Sequence, residues 1–119
     1  MVKTLVFGAS LNPSRYSNIV IRRLIEKKIE TEAFGLREGS VSNVEIKNNL
    51  NGFENLETIT LYMNPTRQKQ YYQNILDLNP RRVIFNPGTE NPEFQQILEQ
   101  AGIDVEVACT LVLLATGQY

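Results

Sequence analysis

The sequence predicts an α/β protein, a small doubly wound parallel sheet of about five strands with helices on both faces. Two patterns carry this expectation. Short apolar runs alternate along the chain with longer segments whose apolar residues recur at helical spacing, the order that βαβ units require. The runs at Thr4, Thr58 and Arg82 also end in Gly or Asn, residues that turn a strand into a loop. A length of 119 residues with 42% hydrophobic content fits one compact domain over residues 1–119 that buries a core without disulfides.

Thr4-Leu5-Val6-Phe7 is apolar, stops at Gly8 and reads as a buried strand. Ser14 is placed to cap a helix whose Tyr16, Ile19, Val20, Leu24 and Ile25 share one face. Lys27 and Lys28 fall in its last turn, where cations suit the helix dipole. Thr31 to Leu36 reads as a second strand. Gly39 to Glu57 is polar and rich in Ser, Asn and Gly, a long connection with one extended piece around Val44-Glu45-Ile46. Thr58 to Met63, β-branched and aromatic, is the next strand, stopped by Asn64-Pro65. Thr66 opens a helix with Tyr72, Ile75, Leu76 and Leu78 inward, and Pro80 ends that region. Arg82-Val83-Ile84-Phe85 is a strand closed by Asn86-Pro87-Gly88. Asn91-Pro92 then starts a helix with Phe94, Ile97, Leu98 and Ala101 inward, and Gly102 stops it. Asp104 to Ala108 is the last strand, and Thr110 onward forms a closing helix or turn. Leu111 to Leu114 suits either the core or a dimer face.

Several function classes drop out on composition. The chain has no histidine, which removes the commonest general base and metal ligand, and any Ser-His-Asp or Cys-His arrangement within one chain. With a single cysteine, Cys109, neither an internal disulfide nor a structural zinc site is expected, and a reducing, cytoplasmic setting follows. Cys109 itself reads as a small buried hydrophobe. Met1-Val2-Lys3 leads straight into a short apolar run, too brief for a signal peptide. The longest apolar run, Val107 to Ala115, is interrupted by Thr110 and far short of a membrane span. A net charge of −1 with interleaved signs gives no broad nucleic-acid surface, so anion recognition has to be local.

In a doubly wound sheet ligands bind outside the carboxyl ends of the strands. That rule selects four loops: Gly8-Ala9-Ser10 with Asn12 to Ser17, Gly35 to Gly39, Met63-Asn64-Pro65, and Asn86-Pro87-Gly88-Thr89. Gly8 lets the backbone approach a ligand, Ser10 and Ser17 supply hydroxyls, and free N–H groups at the helix start favour an anion beside Arg15. The loop is not the G-x-G-x-x-G of dinucleotide enzymes, because no glycine follows Gly8 until Gly35. At the end of the second strand Arg37 suits a phosphate on an adenosine ribose, whereas Glu38 suits an unphosphorylated ribose. In the fourth loop Asn86 offers an amide and Gly88 a backbone N–H. Glu90 and Glu93 sit near a helix start, where acids are expected on dipole grounds, and do not read as an acid/base pair. No tyrosine is followed four residues later by lysine, so the short-chain dehydrogenase pair is missing.

Taken together, strand-Gly8-Ala9-Ser10, Asn12-Pro13, Arg15-Tyr16-Ser17, "LYMNP" (Leu61 to Pro65), "IFNPGTEN" (Ile84 to Asn91) and "ACTLVLL" (Ala108 to Leu114) carry a resemblance over nearly the whole chain. The sequence resembles the small stand-alone CoA-binding domain proteins, relatives of the nucleotide-binding domain in the α-subunit of succinyl-CoA synthetase. That resemblance implies a Rossmann-like site for coenzyme A or an acyl-CoA. The diphosphate would lie over Gly8, Ala9 and Ser10 and the first helix start, near Asn12, Arg15, Tyr16 and Ser17. The adenosine would reach Arg37, and the pantetheine would pass Met63, Asn64, Asn86, Pro87 and Gly88. The stretch Gly35-Leu36-Arg37-Glu38 departs from the Pro-Val-Asn-Pro-like end common in the family, and Gly39 to Glu57 aligns poorly with it.

The leading expectation is therefore a small-molecule nucleotide binder that takes CoA or an acyl-CoA without acting on it, with an acyl-CoA-sensing or partner-subunit role, alone or as a homodimer. The alternative is an NAD(P)-binding oxidoreductase or redox-sensing domain, and a third is an interaction module that kept the fold and lost the ligand.

Overall fold

The computed structural model describes residues 3–119; the start of the N-terminal run at Met1 and Val2 lies outside them. Five parallel strands form the body of the sheet: β1 (Lys3–Phe7), β2 (Glu30–Phe34), β5 (Thr58–Leu61), β6 (Arg82–Phe85) and β7 (Asp104–Val107). Two further strands, β3 (Gly39–Val41) and β4 (Val44–Lys47), make the sheet seven-stranded, in the order β3-β4-β2-β1-β5-β6-β7. The strand count is the main correction to the sequence reading. Gly39 to Glu57 begins as a hairpin: β3 and β4 pair antiparallel around Ser42-Asn43, both at positive φ, and β4 continues parallel to β2. The alternation of buried Val41, Val44 and Ile46 with exposed Ser40 and Glu45 is the signature of strands with one covered face.

The central strands are buried on both faces, so successive side chains enter different cores. Leu5 and Phe7 of β1 join Ile59, Leu61, Val83, Phe85 and the helices α3 (Tyr72–Leu78) and α4 (Pro92–Gln100) on one face. Val6, between them, joins Ala33, Ile46 and the helices α1 (Tyr16–Glu26) and α5 (Thr110–Ala115) on the other. Leu113 and Leu114 of α5 are buried, whereas Val112 stays 55% exposed.

Several element boundaries differ from expectation for local reasons. Ser14 does not cap α1: its N–H and hydroxyl both bond Asn12 Oδ1 (3.0 and 2.8 Å), and the helix begins after Arg15. Tyr16 and Ile25 are therefore not core residues. Tyr16, on the first helical turn, is 71% exposed, and Ile21 takes the buried place instead. The helix stops at Glu26, with Lys28 already in the left-handed region, so Lys27 and Lys28 lie past its last turn. The helix expected from Thr66 starts at Pro65 and is broken: α2 (Pro65–Gln68) passes through a 3₁₀ turn (Lys69–Tyr71) into α3. Ala101 is exposed as the C-cap of α4, and β2, β5 and β7 each stop short of the expected end. No helix among the described residues is long and apolar enough to cross a membrane.

Candidate functional site: a cleft at the switch point of the sheet

From β1 the chain winds outward to β2 in one direction and from β5 to β6 and β7 in the other. The crevice where the winding reverses lies at the carboxyl ends of β1 and β5, where such sheets bind ligands. An open cleft of ≈ 580 Å³ occupies that place. Its lining includes Gly8, Ala9, Ser10, Arg15, Tyr16, Ser17, Arg37, Met63, Asn64, Pro87 and Gly88, so all four loops singled out in the sequence meet at one edge. Leu11, Gly35, Leu36, Tyr62, Arg67 and Thr89 complete it.

The wall formed by the β1 and β2 loops is made by backbone. Gly8 and Ala9 both donate their N–H to Phe34 O (2.9 and 2.8 Å), which turns the chain tightly across the end of β2. Gly8 sits at φ +97, where an L side chain is strained, and a Cβ there would meet Tyr62 C at 3.1 Å. Gly35 has no room for any side chain: a Cβ would lie 2.3 Å from Ala9 O. The loop then locks itself, Asn12 N–H donating to Ser10 Oγ (3.1 Å) and Asn18 Nδ2 to Ser10 O (2.9 Å). Asn12 does not line the cleft; its carboxamide holds Ser14. Beyond this loop α1 opens with Tyr16 and Ser17, whose N–H groups have no intrahelical acceptor, and its first turn carries no acidic residue. Open N–H groups and the positive dipole end at a helix start favour an anion over other ligands, and Arg15 flanks this one.

The opposite wall, from the β5 and β6 loops, is held by buried side-chain amides. Gln68 is fully buried. Its Nε2 donates to Met63 O (2.7 Å) and Thr89 O (2.8 Å), and its Oε1 accepts from Asn91 Nδ2 (2.9 Å). The other hydrogen of Asn91 Nδ2 goes to the Tyr72 hydroxyl (2.8 Å), which donates to Glu93 Oε1 (3.0 Å). Asn91 Oδ1 caps α4 through Phe94 N–H. Burial, opposed by the bond from Asn91, keeps the Tyr72 phenol above its ordinary pKa, so it stays a donor.

Asn86 has a similar role at the end of β6. Its Nδ2 donates to Thr60 Oγ1 (2.8 Å) and Leu61 O (2.9 Å), and its Oδ1 accepts Thr110 N–H (2.8 Å) at the start of α5. The amide that the sequence offers to a ligand is thus committed inside the protein, at 1% exposure, and Pro87 and Gly88 face the cleft instead. Gly88 N–H is also engaged, bonded to Glu90 Oε1 (2.9 Å). Between the walls lies Tyr62. Its hydroxyl oxygen is buried with no hydrogen-bond partner, and the Thr60 and Thr110 hydroxyls nearby are bonded to each other (2.8 Å). Burial raises its pKa far above the ordinary phenol value, so it remains a neutral O–H.

Three guanidiniums, Arg15, Arg37 and Arg67, line the cleft, and no carboxylate does among the described residues. None of the three is in an ion pair among the described residues. Arg67 and the clamp at Gln68 carry no signal in the sequence. An arginine two residues past Asn-Pro has no periodic signature, and a glutamine is ordinarily a surface residue. Cys109, the free thiol, is half-buried at the N-cap of α5 and lies outside the lining.

A doubly wound parallel sheet with a helix start and three arginines in a cleft at its switch point is a Rossmann-like architecture. The family follows from comparison with known sequences: the model for the CoA binding domain matches residues 2–115, and the chain belongs to that family. In three dimensions it is similar to an uncharacterized protein of known crystal structure (42% identity, TM-score 0.96), covering 100% of this chain and 98% of that one. A Thermus thermophilus protein (24% identity, TM-score 0.88, coverage 99% and 90%) has the same fold. So does a conserved hypothetical protein of Pyrococcus furiosus (23% identity, TM-score 0.82, coverage 94% and 98%). Comparison with curated proteins gives no match.

Proposed function

We propose that this chain is a cytoplasmic, single-domain protein that binds coenzyme A or an acyl-CoA in the switch-point cleft and does no chemistry on it. The observation that carries the reading is the pairing of the Gly8–Ser10 turn and α1 start with Arg15 in a cleft that no carboxylate lines among the described residues. The diphosphate lies on that turn, the adenosine ribose phosphate meets Arg37, and the pantetheine runs between Met63-Asn64 and Pro87-Gly88. Asn12 and Asn86 serve the ligand indirectly, by holding the loops that touch it. A ribose without a phosphate finds no acidic partner in the lining, which disfavours NAD. The lack of histidine and the neutral Tyr62 leave no general base in the cleft, in keeping with a sensing or partner-subunit role.

Isothermal titration against CoA, 3′-dephospho-CoA, NAD and NADP tests the reading. CoA is expected to bind, dephospho-CoA more weakly, and NAD not at all. Binding of NADP or NAD with CoA silent would overturn it.

A further inference from the structure

Arg67 stands apart from the other two arginines of the cleft. Arg15 and Arg37 follow β1 and β2, on the side where α1 presents its N-terminus. Arg67 follows β5, and its backbone is fixed in place: its N–H bonds Asn64 Oδ1 (3.0 Å), and the next residue, Gln68, is clamped to Met63 O and Thr89 O. β5 lies two places from β2, roughly 10 Å away at ordinary strand spacing. The cleft therefore carries arginines on both walls. A guanidinium lining a cleft, free of any ion pair among the described residues, is suited to a carboxylate or phosphate, which it grips in bidentate fashion.

With CoA bound as proposed above, on which this inference rests, all the phosphates lie on the β1 and β2 side. The pantetheine and its thiol, which are uncharged, pass the other wall. We infer that Arg67 reads a carboxylate on the acyl group, so that the preferred ligands are CoA thioesters of dicarboxylic acids. The neutral surfaces beside it, Met63 and Pro87, accommodate the methylene chain between thioester and acid. Gln68 is then a positioning residue, holding Arg67 at the seam of the two loops.

Titration with paired ligands of nearly equal shape tests this: malonyl-CoA against propionyl-CoA, and glutaryl-CoA against pentanoyl-CoA. At least one acid is expected to bind about tenfold or more tighter than its neutral partner, as a charged hydrogen bond gives. Arg67→Met is expected to abolish that difference, so that acid and neutral thioesters bind alike, the acid having lost more. Arg67→Lys, which keeps the charge and loses the fork, restores part of it. Equal affinity within both pairs overturns the inference and leaves CoA binding standing. A loss on Arg67→Met that is the same for acid and neutral ligands also overturns it, and makes Arg67 a phosphate contact. Failure of all four thioesters and CoA to bind overturns the CoA reading, and the inference falls with it.

Discussion

The two walls of the cleft are built by different means. On the β1 and β2 side, short-range backbone geometry does the work: a glycine at positive φ, a glycine with no room for Cβ, and an Asx-type turn around Asn12. The charged groups there, Arg15 and Arg37, are exposed and support nothing. On the β5 and β6 side, buried amides bridge residues 21 to 26 positions apart, and each hydrogen they carry is matched to an acceptor. A buried polar group stabilises only when satisfied, and removing one partner strands the rest. One wall therefore keeps its ligand-facing groups separable from stability, whereas the other does not.

Gln68→Leu breaks the amide wall most directly. It removes the donor to Met63 O and Thr89 O and leaves one of the two Asn91 Nδ2 hydrogens unbonded in a buried site, and a loss of about 3 kcal/mol in urea unfolding is expected. A loss below about 0.5 kcal/mol would mean that the network does not support the fold. Arg15→Ala sharpens the contrast from the other wall. It is expected to leave unfolding unchanged and to weaken CoA binding by roughly 1–3 kcal/mol, measured by calorimetry. Unchanged affinity removes Arg15 from the site.

The smallest effect at neutral pH is expected between the walls, at Tyr62. Its hydroxyl is buried without a partner, so Tyr62→Phe is expected to be neutral or stabilising by up to about 1 kcal/mol in thermal or chemical unfolding. The pH dependence has a definite sign. The folded protein holds this proton more tightly than the unfolded chain, whose phenol titrates near 10.0. Stability is therefore intact below pH 10.0 and falls as pH rises above it, and the phenylalanine variant loses less over that range. Equal alkaline loss in both proteins would place the titration elsewhere.

The same division explains what is legible in the sequence. The parallel core is visible there because β1, β5 and β6 are apolar or β-branched runs punctuated by a turn residue. The glycine loop, Arg15 and Arg37 are visible because their geometry is written within a few residues. The β3–β4 hairpin is half visible: its two strands are three and four residues long, and the turn between them is Ser-Asn rather than a glycine pair. The amide wall is not visible. Gln68 looks like any polar helix residue, and only the fold brings it to Thr89 and Asn91. Asn86 marks a loop that lines the cleft, but its amide is bonded within the protein, because an asparagine at a strand end serves a ligand or the protein with equal chemistry. The misplacement of Tyr16 has a related cause, since periodicity assigns it to a core that the helix start does not reach.

The most direct measurement is backbone amide NMR on the ¹⁵N-labelled protein titrated with CoA. Shifts are expected to cluster at residues 8–10, 15–17, 35–37, 63–67 and 87–89, on both walls of the cleft, and to spare Glu57, Arg81 and Asp104 at the opposite end of the strands. An unperturbed spectrum at saturating CoA, or shifts centred on that opposite end, would contradict the assignment of this cleft as the ligand site.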